Sequence, residues 1–136
     1  MLKTDPTVTW AIKSYNREEI AKNIKMLEVE LSILKTIDHP NIVKLEQCYI
    51  DDKYVHIVTK YYNGGELFDN IVAAKRFTEH RAADLISQMI DAVVYLHKLG
   101  IVHRDLKPEN FLMEDTSDNS KIKMIDFGSS KRFNEH

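Results

Sequence analysis

The sequence holds few of the residues on which several classes of protein depend. Its one cysteine, Cys48, has no partner for an internal disulfide and no second thiol for a zinc site, so we expect it to fill the core. Glycine is also scarce, and the pattern of a P-loop, with its Gly-Lys-Ser/Thr ending, is absent. The four glycines are Gly64, Gly65, Gly100 and Gly128. A disulfide framework and a P-loop nucleotide site are therefore excluded for these residues.

Long apolar runs and a surplus of one charge are missing as well. The longest runs, such as residues 92–96, fall far short of the roughly 18–20 residues that span a bilayer, and the first residues lack a signal peptide's apolar stretch. A formal net charge of -2 gives no basic surplus for nucleic acid or an anionic membrane. We expect an intracellular, cytoplasmic protein that binds neither nucleic acid nor membrane.

The first sixty residues carry strand patterns around one long helix. Residues 8–12 alternate between large apolar and smaller residues, which predicts a half-buried strand with Lys13 at its end. Residues 17–37 place apolar side chains at three- and four-residue steps and predict one amphipathic helix. Residues 42–50 and 54–60 are rich in β-branched and aromatic side chains on either side of Asp-Asp-Lys, which predicts an antiparallel hairpin.

The later residues favour helices. A short helix is predicted over residues 66–74, and a long one begins after Thr78 as N-cap and ends just before Gly100. A strand-rich part thus precedes a helix-rich part, with a hinge near residues 59–65, which indicates an α+β fold. Short apolar runs lie at residues 101–102 and 111–113, and the alternation of residues 122–125 predicts a strand.

Two motifs carry the chemistry. Residues 103–110 read HRDLKPEN, and residues 126–128 read DFG. Together they resemble the catalytic loop and the magnesium-binding motif of eukaryotic-type serine/threonine protein kinases. The resemblance implies a two-lobe kinase fold that transfers a phosphoryl group from ATP to a protein hydroxyl. The Lys-Pro-Glu-Asn ending is typical of serine/threonine kinases rather than tyrosine kinases.

This resemblance implies a task for each matched residue. Asp105 would orient the substrate hydroxyl and accept its proton, and Lys107 would reach the γ-phosphate of ATP. Asn110 and Asp126 would each hold a Mg²⁺ ion. Phosphoryl transfer needs charge neutralised around the phosphates and a hydroxyl held in line, which is what these residue types supply.

Residues 11–13, Ala-Ile-Lys, resemble the kinase strand whose lysine binds the α- and β-phosphates. On its own the triplet is weak, because many amphipathic strands end in a solvated lysine. With the downstream motifs, Lys13 becomes the expected phosphate ligand, paired with Glu30 on the following helix. Glu28 is the competing partner, and since residues two apart on a helix point roughly 200° away from one another, only one of them can face the cleft.

Residues 61–69, YYNGGELFD, resemble the hinge and first helix of the calcium/calmodulin-dependent group, which includes calcium-dependent protein kinases. The resemblance implies that Thr59 is the gatekeeper and that backbone groups of Lys60 and Tyr61 bind adenine. Calcium or calmodulin regulation, which that group implies, is not encoded in these residues, because they contain no EF-hand and no calmodulin-binding segment.

The same resemblance assigns the walls of the cleft. Ala11 and Leu112 would enclose the adenine ring, and Glu66 would meet the ribose. Glu66 and Glu109 would also face the residues upstream of the phosphorylated serine or threonine. Protein substrates with arginine or lysine upstream are therefore the expected partners.

The chain departs from the kinase pattern at both ends. It lacks the family's Gly-rich loop and the Ala-Pro-Glu motif that follows the activation segment. We therefore read residues 1–136 as a partial kinase domain truncated at both ends, with residues 1–61 from the N-lobe and 62–136 from the C-lobe. By itself this piece is expected to be inactive, and the alternative is a pseudokinase-like binding or regulatory module without catalysis.

Overall fold

The computed structural model describes residues 7–74 and 77–133. The first part of the chain is dominated by a sheet and the second by helices, so the α+β fold class is confirmed. Single turns of 3-10 helix lie at Ala21–Asn23 and Pro108–Asn110. The other elements in chain order are β1 (Trp10–Asn16), α1 (Arg17–Ile20), α2 (Ile24–Thr36), β2 (Leu45–Ile50), β3 (Tyr54–Lys60), α3 (Leu67–Ala73), α4 (Glu79–Lys98), β4 (Ile101–Val102), β5 (Phe111–Met113), β6 (Ile122–Met124) and β7 (Lys131–Arg132).

The first part is an antiparallel sheet with the strand order β1-β3-β2. The hairpin of β2 and β3 agrees with the sequence prediction, except that β2 begins only at Leu45. The predicted end of the first strand is wrong, because pairing with β3 carries β1 to Asn16 and leaves Lys13 mid-strand opposite Ile57. Ile12 is 65% exposed, so the predicted burial pattern also fails there.

The helical region after β1 is broken, although the sequence predicts one helix over residues 17–37. Asn16 caps α1 by accepting a hydrogen bond from the backbone N–H of Glu18 at 2.9 Å. A 3-10 turn then separates α1 from α2. The break turns Ile24 outward, where it is 44% exposed, while Leu27 and Leu34 of α2 pack into the core.

The long helix α4 begins and ends where the sequence predicts. The Thr78 hydroxyl accepts from the backbone N–H of Arg81 at 3.1 Å, and Gly100 follows the helix with a φ of 73°. Because that φ lies in the left-handed region, glycine is the favoured residue there. Leu85 and Leu96 of α4 are buried in the core. None of the helices that the structure describes is both long and apolar enough to cross a membrane.

Backbone hydrogen bonds tie the sheet to the helical part. Met124 of β6 donates its N–H to the carbonyl of Asn41 at 2.8 Å and accepts from the N–H of Val43 at 3.0 Å. The buried Asn41 side chain adds a bond to the carbonyl of Ile122 at 3.1 Å. Strands β5 and β6 pair with one another, and β4 pairs with β7. The loops after β4 and β6 are thereby held beneath the sheet.

Candidate active site

A cleft of about 780 Å³ lies between the sheet and the helical part. Its walls come from β1, α2, the end of β3 and the loops around β5 and β6. All but one of the residues predicted for the site line it, and the remaining one, Asp105, contacts two of them. The predicted residues in the walls are Ala11, Lys13, Glu30, Lys60, Tyr61, Glu66, Lys107, Asn110, Leu112 and Asp126.

The upper wall carries an ion pair between Lys13 and Glu30. Lys13 Nζ lies 4.0 Å from Glu30 Oε1, and the hydroxyl of Tyr15 donates to Glu30 Oε2 at 3.3 Å. Glu30 is 7% exposed, whereas the competing Glu28 is on the exposed side of α2. The structure therefore places Glu30, and not Glu28, opposite Lys13.

Exposure explains how the pair titrates. Burial disfavours the charged amine, but the Tyr15 hydroxyl and the Glu30 carboxylate outweigh it, so the pKa of Lys13 is raised. Burial also raises the pKa of Glu30, although Lys13 and Tyr15 act in the opposite direction. The two pKa values rise for different reasons: Tyr15 and Glu30 favour the charged form of Lys13, whereas burial disfavours the charged form of Glu30, whose side chain is 9% exposed against 57% for Lys13. The Glu30 carboxylate therefore depends more than the Lys13 ammonium on its neighbours to remain charged.

The loop after β4 fixes Asp105 through its neighbours. Asn110 Nδ2 donates to the carbonyl of Asp105 at 2.8 Å and to its Oδ2 at 3.0 Å. Lys107 Nζ lies 3.6 Å from Asp105 Oδ1. The six residues 105–110 thus fold back on themselves and present a carboxylate, an ammonium and an amide together at one edge of the cleft.

His103 anchors this loop from below. Its ring is 2% exposed, and Nδ1 accepts from the backbone N–H of Asp105 at 3.2 Å. The other nitrogen, Nε2, must then carry the proton and donate to the carbonyl of Ile125 at 3.0 Å. The ring also meets Phe127 edge to face, with 5.1 Å between centroids. This buried contact links the 103–110 loop to the 126–128 motif.

Asp126 is held in an unusual backbone conformation. Its φ is 60°, a region that non-glycine residues seldom adopt and that the surrounding structure must enforce. Ile125 donates its N–H to the carbonyl of Asn110 at 2.9 Å, which fixes the chain just before it. The backbone N–H of Gly128 donates to Asp126 Oδ1 at 3.3 Å. Asp126 and Asn110 are therefore positioned together in the wall of the cleft.

The hinge residues direct their backbone groups to two sides. The backbone N–H of Tyr61, one of the two residues whose backbone groups the resemblance assigns to adenine, donates to the carbonyl of Thr9 at 3.1 Å. Because successive residues of an extended strand point their backbone groups in opposite directions, Lys60 and Tyr62 present theirs away from β1. Both residues line the cleft. Sequence reasoning did not single out Tyr62, whose position depends on the pairing of the strands.

The floor near the hinge is held by close backbone contacts. Met113 donates its N–H to the carbonyl of Gly65 at 2.8 Å, and Gly64 donates to the carbonyl of Met113 at 3.2 Å. A Cβ on Gly64 would overlap the carbonyl oxygen of Asp115, so glycine permits this approach. A bridge between Glu66 and Leu112 brings both predicted wall residues to the same edge.

The oxygen donors in the cleft fit magnesium. Asn110 uses its amide nitrogen towards Asp105, which leaves Oδ1 as an acceptor, and Asp126 supplies a carboxylate. Hard oxygen ligands of this kind suit Mg²⁺, which takes one or two protein ligands and completes its shell with water and phosphate oxygens. Within residues 7–74 and 77–133, no cluster of three or more histidine, cysteine, aspartate or glutamate side chains forms a metal site.

Comparison with known proteins identifies the family. A family model described as "Protein kinase domain" matches residues 1–136. The chain belongs to the protein kinase family. Its resemblance to the calcium-dependent group is confirmed by relatives of that group at 42–44% identity.

Three curated relatives illustrate how much of a kinase these residues cover. Calcium/calmodulin-dependent protein kinase type 1 of Macrobrachium nipponense is 44% identical over 96% of this kinase chain and 38% of that protein. The enzyme of the same name from Caenorhabditis briggsae is 42% identical over 95% and 36%. Calcium-dependent protein kinase 5 of Plasmodium berghei (strain Anka) is 44% identical over 93% and 22%. The chain thus spans well under half the length of these relatives.

Proposed function

We propose that these residues belong to an ATP-dependent protein serine/threonine kinase, with residues 1–61 as part of its N-lobe and 62–136 as part of its C-lobe. The observation that carries the proposal is the meeting of two separate groups across one cleft. The Lys13–Glu30 pair comes from the sheet side, and Asp105 with Lys107 and Asn110 comes from the helical side. Such a set can bind phosphates and position a hydroxyl.

The adenosine of ATP fits between the two parts of the cleft. Ala11 and Leu112 would contact the faces of the adenine, and Glu66 the ribose. The carbonyl of Lys60 and the backbone N–H of Tyr62 would meet the edge of the adenine. The ammonium of Lys13 would bind the α- and β-phosphates, oriented by Glu30.

Asp105 would accept the proton of the substrate hydroxyl as its oxygen attacks the γ-phosphorus and the bond to ADP breaks. The Asn110 amide keeps Asp105 in one orientation, and Lys107 stabilises the charge on the transferred phosphoryl group. Asn110 and Asp126 would hold magnesium, which neutralises phosphate charge when bound.

Protein substrates with basic residues before the phosphorylated serine or threonine fit the acidic rim. Glu66 and Glu109 are exposed and line the cleft. An exposed ion pair is worth roughly 0.2–1 kcal/mol, so each would favour a basic peptide by about five-fold at most. A peptide array phosphorylated by the longest expressed product that contains these residues should show this preference, and Glu66→Gln with Glu109→Gln should weaken it. Equal turnover of acidic and basic peptides would contradict the substrate class.

The kinase assignment itself is tested by Asp105-dependent turnover in that longest product. Labelled ATP, magnesium and a pool of serine, threonine and tyrosine peptides should yield phosphoserine and phosphothreonine, lost in Asp105→Asn and retained in Asp118→Asn, an exposed control. The assay is run with and without calcium and calmodulin, because the relatives carry that dependence in their names. Binding of ATP without turnover would favour a regulatory module instead.

A further inference from the structure

Tyr15 contacts both members of the Lys13–Glu30 pair. The kinase motifs described above give this residue no role. It lies two residues after Lys13 on β1, so both side chains leave the strand on the face that α2 covers. Its hydroxyl donates to Glu30 Oε2 at 3.3 Å. The Lys13 ammonium lies 4.9 Å from the centroid of the Tyr15 ring, within the range of a cation–π contact.

The pair is weak without a third group. Lys13 Nζ is 4.0 Å from Glu30 Oε1, and the Lys13 side chain is 57% exposed, so water screens the attraction. The Glu30 carboxylate, in contrast, is almost completely buried and needs hydrogen bonds to remain charged. Within the part of the chain that the structure describes, the side-chain hydrogen bond to this carboxylate comes from the hydroxyl of Tyr15.

The two carboxylate oxygens of Glu30 contact two different residues of β1. Oε1 faces Lys13 and Oε2 accepts a hydrogen bond from Tyr15, so Glu30 is held to β1 at two points. Two contacts to one strand fix the direction of the Glu30 carboxylate more closely than the ion pair alone would. The ring of Tyr15 also limits where the Lys13 ammonium can lie.

We propose that Tyr15 is a positioning residue that keeps the Lys13–Glu30 pair assembled in the cleft, before any nucleotide arrives. Its hydroxyl holds the carboxylate, and its ring supports the ammonium. The proposal rests on the proposed function for its catalytic meaning, but its physical content is a contact between β1 and α2. The raised pKa of Glu30, caused by burial against the opposing effects of Lys13 and Tyr15, agrees with a carboxylate that depends on this support.

The test is the reactivity of Lys13 in the 136-residue chain without nucleotide. Lys13 acetylation is measured by mass spectrometry as a function of pH in the wild type and in Tyr15→Phe, with Lys22 as an internal reference. The Phe variant keeps the ring and removes only the hydroxyl. If Glu30 is released, the pKa of Lys13 falls and its acetylation below that pKa rises by roughly two- to five-fold.

Tyr49→Phe is the matched control, because it removes a hydroxyl from the same sheet whose recorded partner is Gln47. Thermal melting followed by circular dichroism checks that each variant is folded. The Tyr15 hydroxyl also raises the pKa of Lys13 directly, so a Glu30→Gln background measures that direct part, and Tyr15→Phe should change the Lys13 profile less there than in the presence of Glu30. An unchanged Lys13 profile in folded Tyr15→Phe, or an equal change in Tyr49→Phe, would overturn the proposal.

A second measurement uses the pair itself. A carbodiimide forms an amide between a lysine and a carboxylate in contact, with loss of water that the reagent takes up as a urea. The Lys13–Glu30 product should fall by roughly two- to five-fold in Tyr15→Phe and persist in Tyr49→Phe. Protection of Lys13 from acetylation by ATP and magnesium is measured in parallel. Absence of protection would count against the nucleotide site, while the Lys13 profile and the cross-link, both measured without nucleotide, decide the role of Tyr15.

Discussion

Asp105, at the edge of the cleft, and Asp126, in its wall, have different surroundings. Removing the charge of each should therefore have a different effect on catalysis. Asp105 is held by the Asn110 amide and faces Lys107, at the edge where a hydroxyl would be positioned. Asp126 lies in the wall of the cleft beside Asn110. In the proposed function Asp105 would act mainly on the attacking hydroxyl in the transition state, whereas Asp126 would already bind magnesium and phosphates in the ground state.

The corresponding prediction separates turnover from affinity. In the longest product that shows kinase activity, Asp105→Asn should lower kcat by about 10²–10⁴-fold with little change in ATP affinity. Asp126→Asn should lower both, because a magnesium ligand is lost. Calorimetry with ATP and magnesium, together with steady-state kinetics, distinguishes them, and Asp118→Asn is the control. A large loss of affinity in Asp105→Asn would contradict the assignment.

At the scale of elements, the β2–β3 hairpin depends on one charged turn residue. Asp51 Oδ1 accepts from the backbone N–H groups of Lys53 and Tyr54, both at 2.7 Å, and Oδ2 lies 2.7 Å from His56 Nε2. The bond to His56, followed by those two backbone bonds, lowers the pKa of Asp51 to about 2 from its ordinary value of 3.8. His56 Nδ1 lies 2.7 Å from the Ser14 hydroxyl, which extends the network to β1.

This network predicts a loss of stability in acid. Because the folded-state pKa is lower than the ordinary one, ionised Asp51 stabilises the fold above pH 3.8, and this contribution disappears as the pH falls through about 2. Urea unfolding between about pH 2 and 6 should show the wild type converging on Asp51→Asn as the pH falls. Asp52→Asn, the neighbouring change in the same turn, is the control. A difference that is constant with pH would contradict the role of the charge.

At the scale of the whole molecule, the sequence lacks one part of the kinase pattern. The 136 residues contain no Gly-rich loop, which in kinases covers the phosphates, and we therefore do not expect the backbone donors and the exclusion of water that such a loop supplies. We therefore predict little or no peptide phosphorylation from this polypeptide alone, measured with labelled ATP, magnesium and basic peptides. Robust turnover by the purified monomer, abolished by Asp105→Asn, would contradict this expectation.

The same polypeptide should also associate with itself. Ile86, Ile90 and Val94 lie one helical turn apart on α4 and are 53%, 54% and 44% exposed, forming an apolar stripe. Ile90→Gln should shift sedimentation towards the monomer at a given concentration. Ile12→Gln, at an exposed isoleucine on the sheet, is the control. An equal shift with both variants, or none with Ile90→Gln, would show that the stripe does not drive association.

Much of the fold and of the helical side of the site was predictable from sequence. The chemical roles of Asp105, Lys107 and Asn110 remain predictions. Their contacts with one another were predictable, because the three residues lie within six positions of the chain and their side chains must therefore be close. The hairpin and α4 were also predictable, because the turn, the Thr78 cap and Gly100 are local signals. Turns and helix caps depend on interactions between residues a few positions apart, and such residues can be recognised directly in the sequence.

Tertiary structure decided what depends on partners far along the chain. Pairing with β3 extended β1 beyond Lys13 and brought Tyr15 onto the face that meets α2. Burial of that helix puts Glu30, the predicted partner, and not the competing Glu28 next to Lys13. The strand register pairs the N–H of Tyr61 with the carbonyl of Thr9. The sequence by itself determined the family and proposed the residues of the site, whereas strand register and helix packing, which arise only from long-range contacts, decided how those residues face one another.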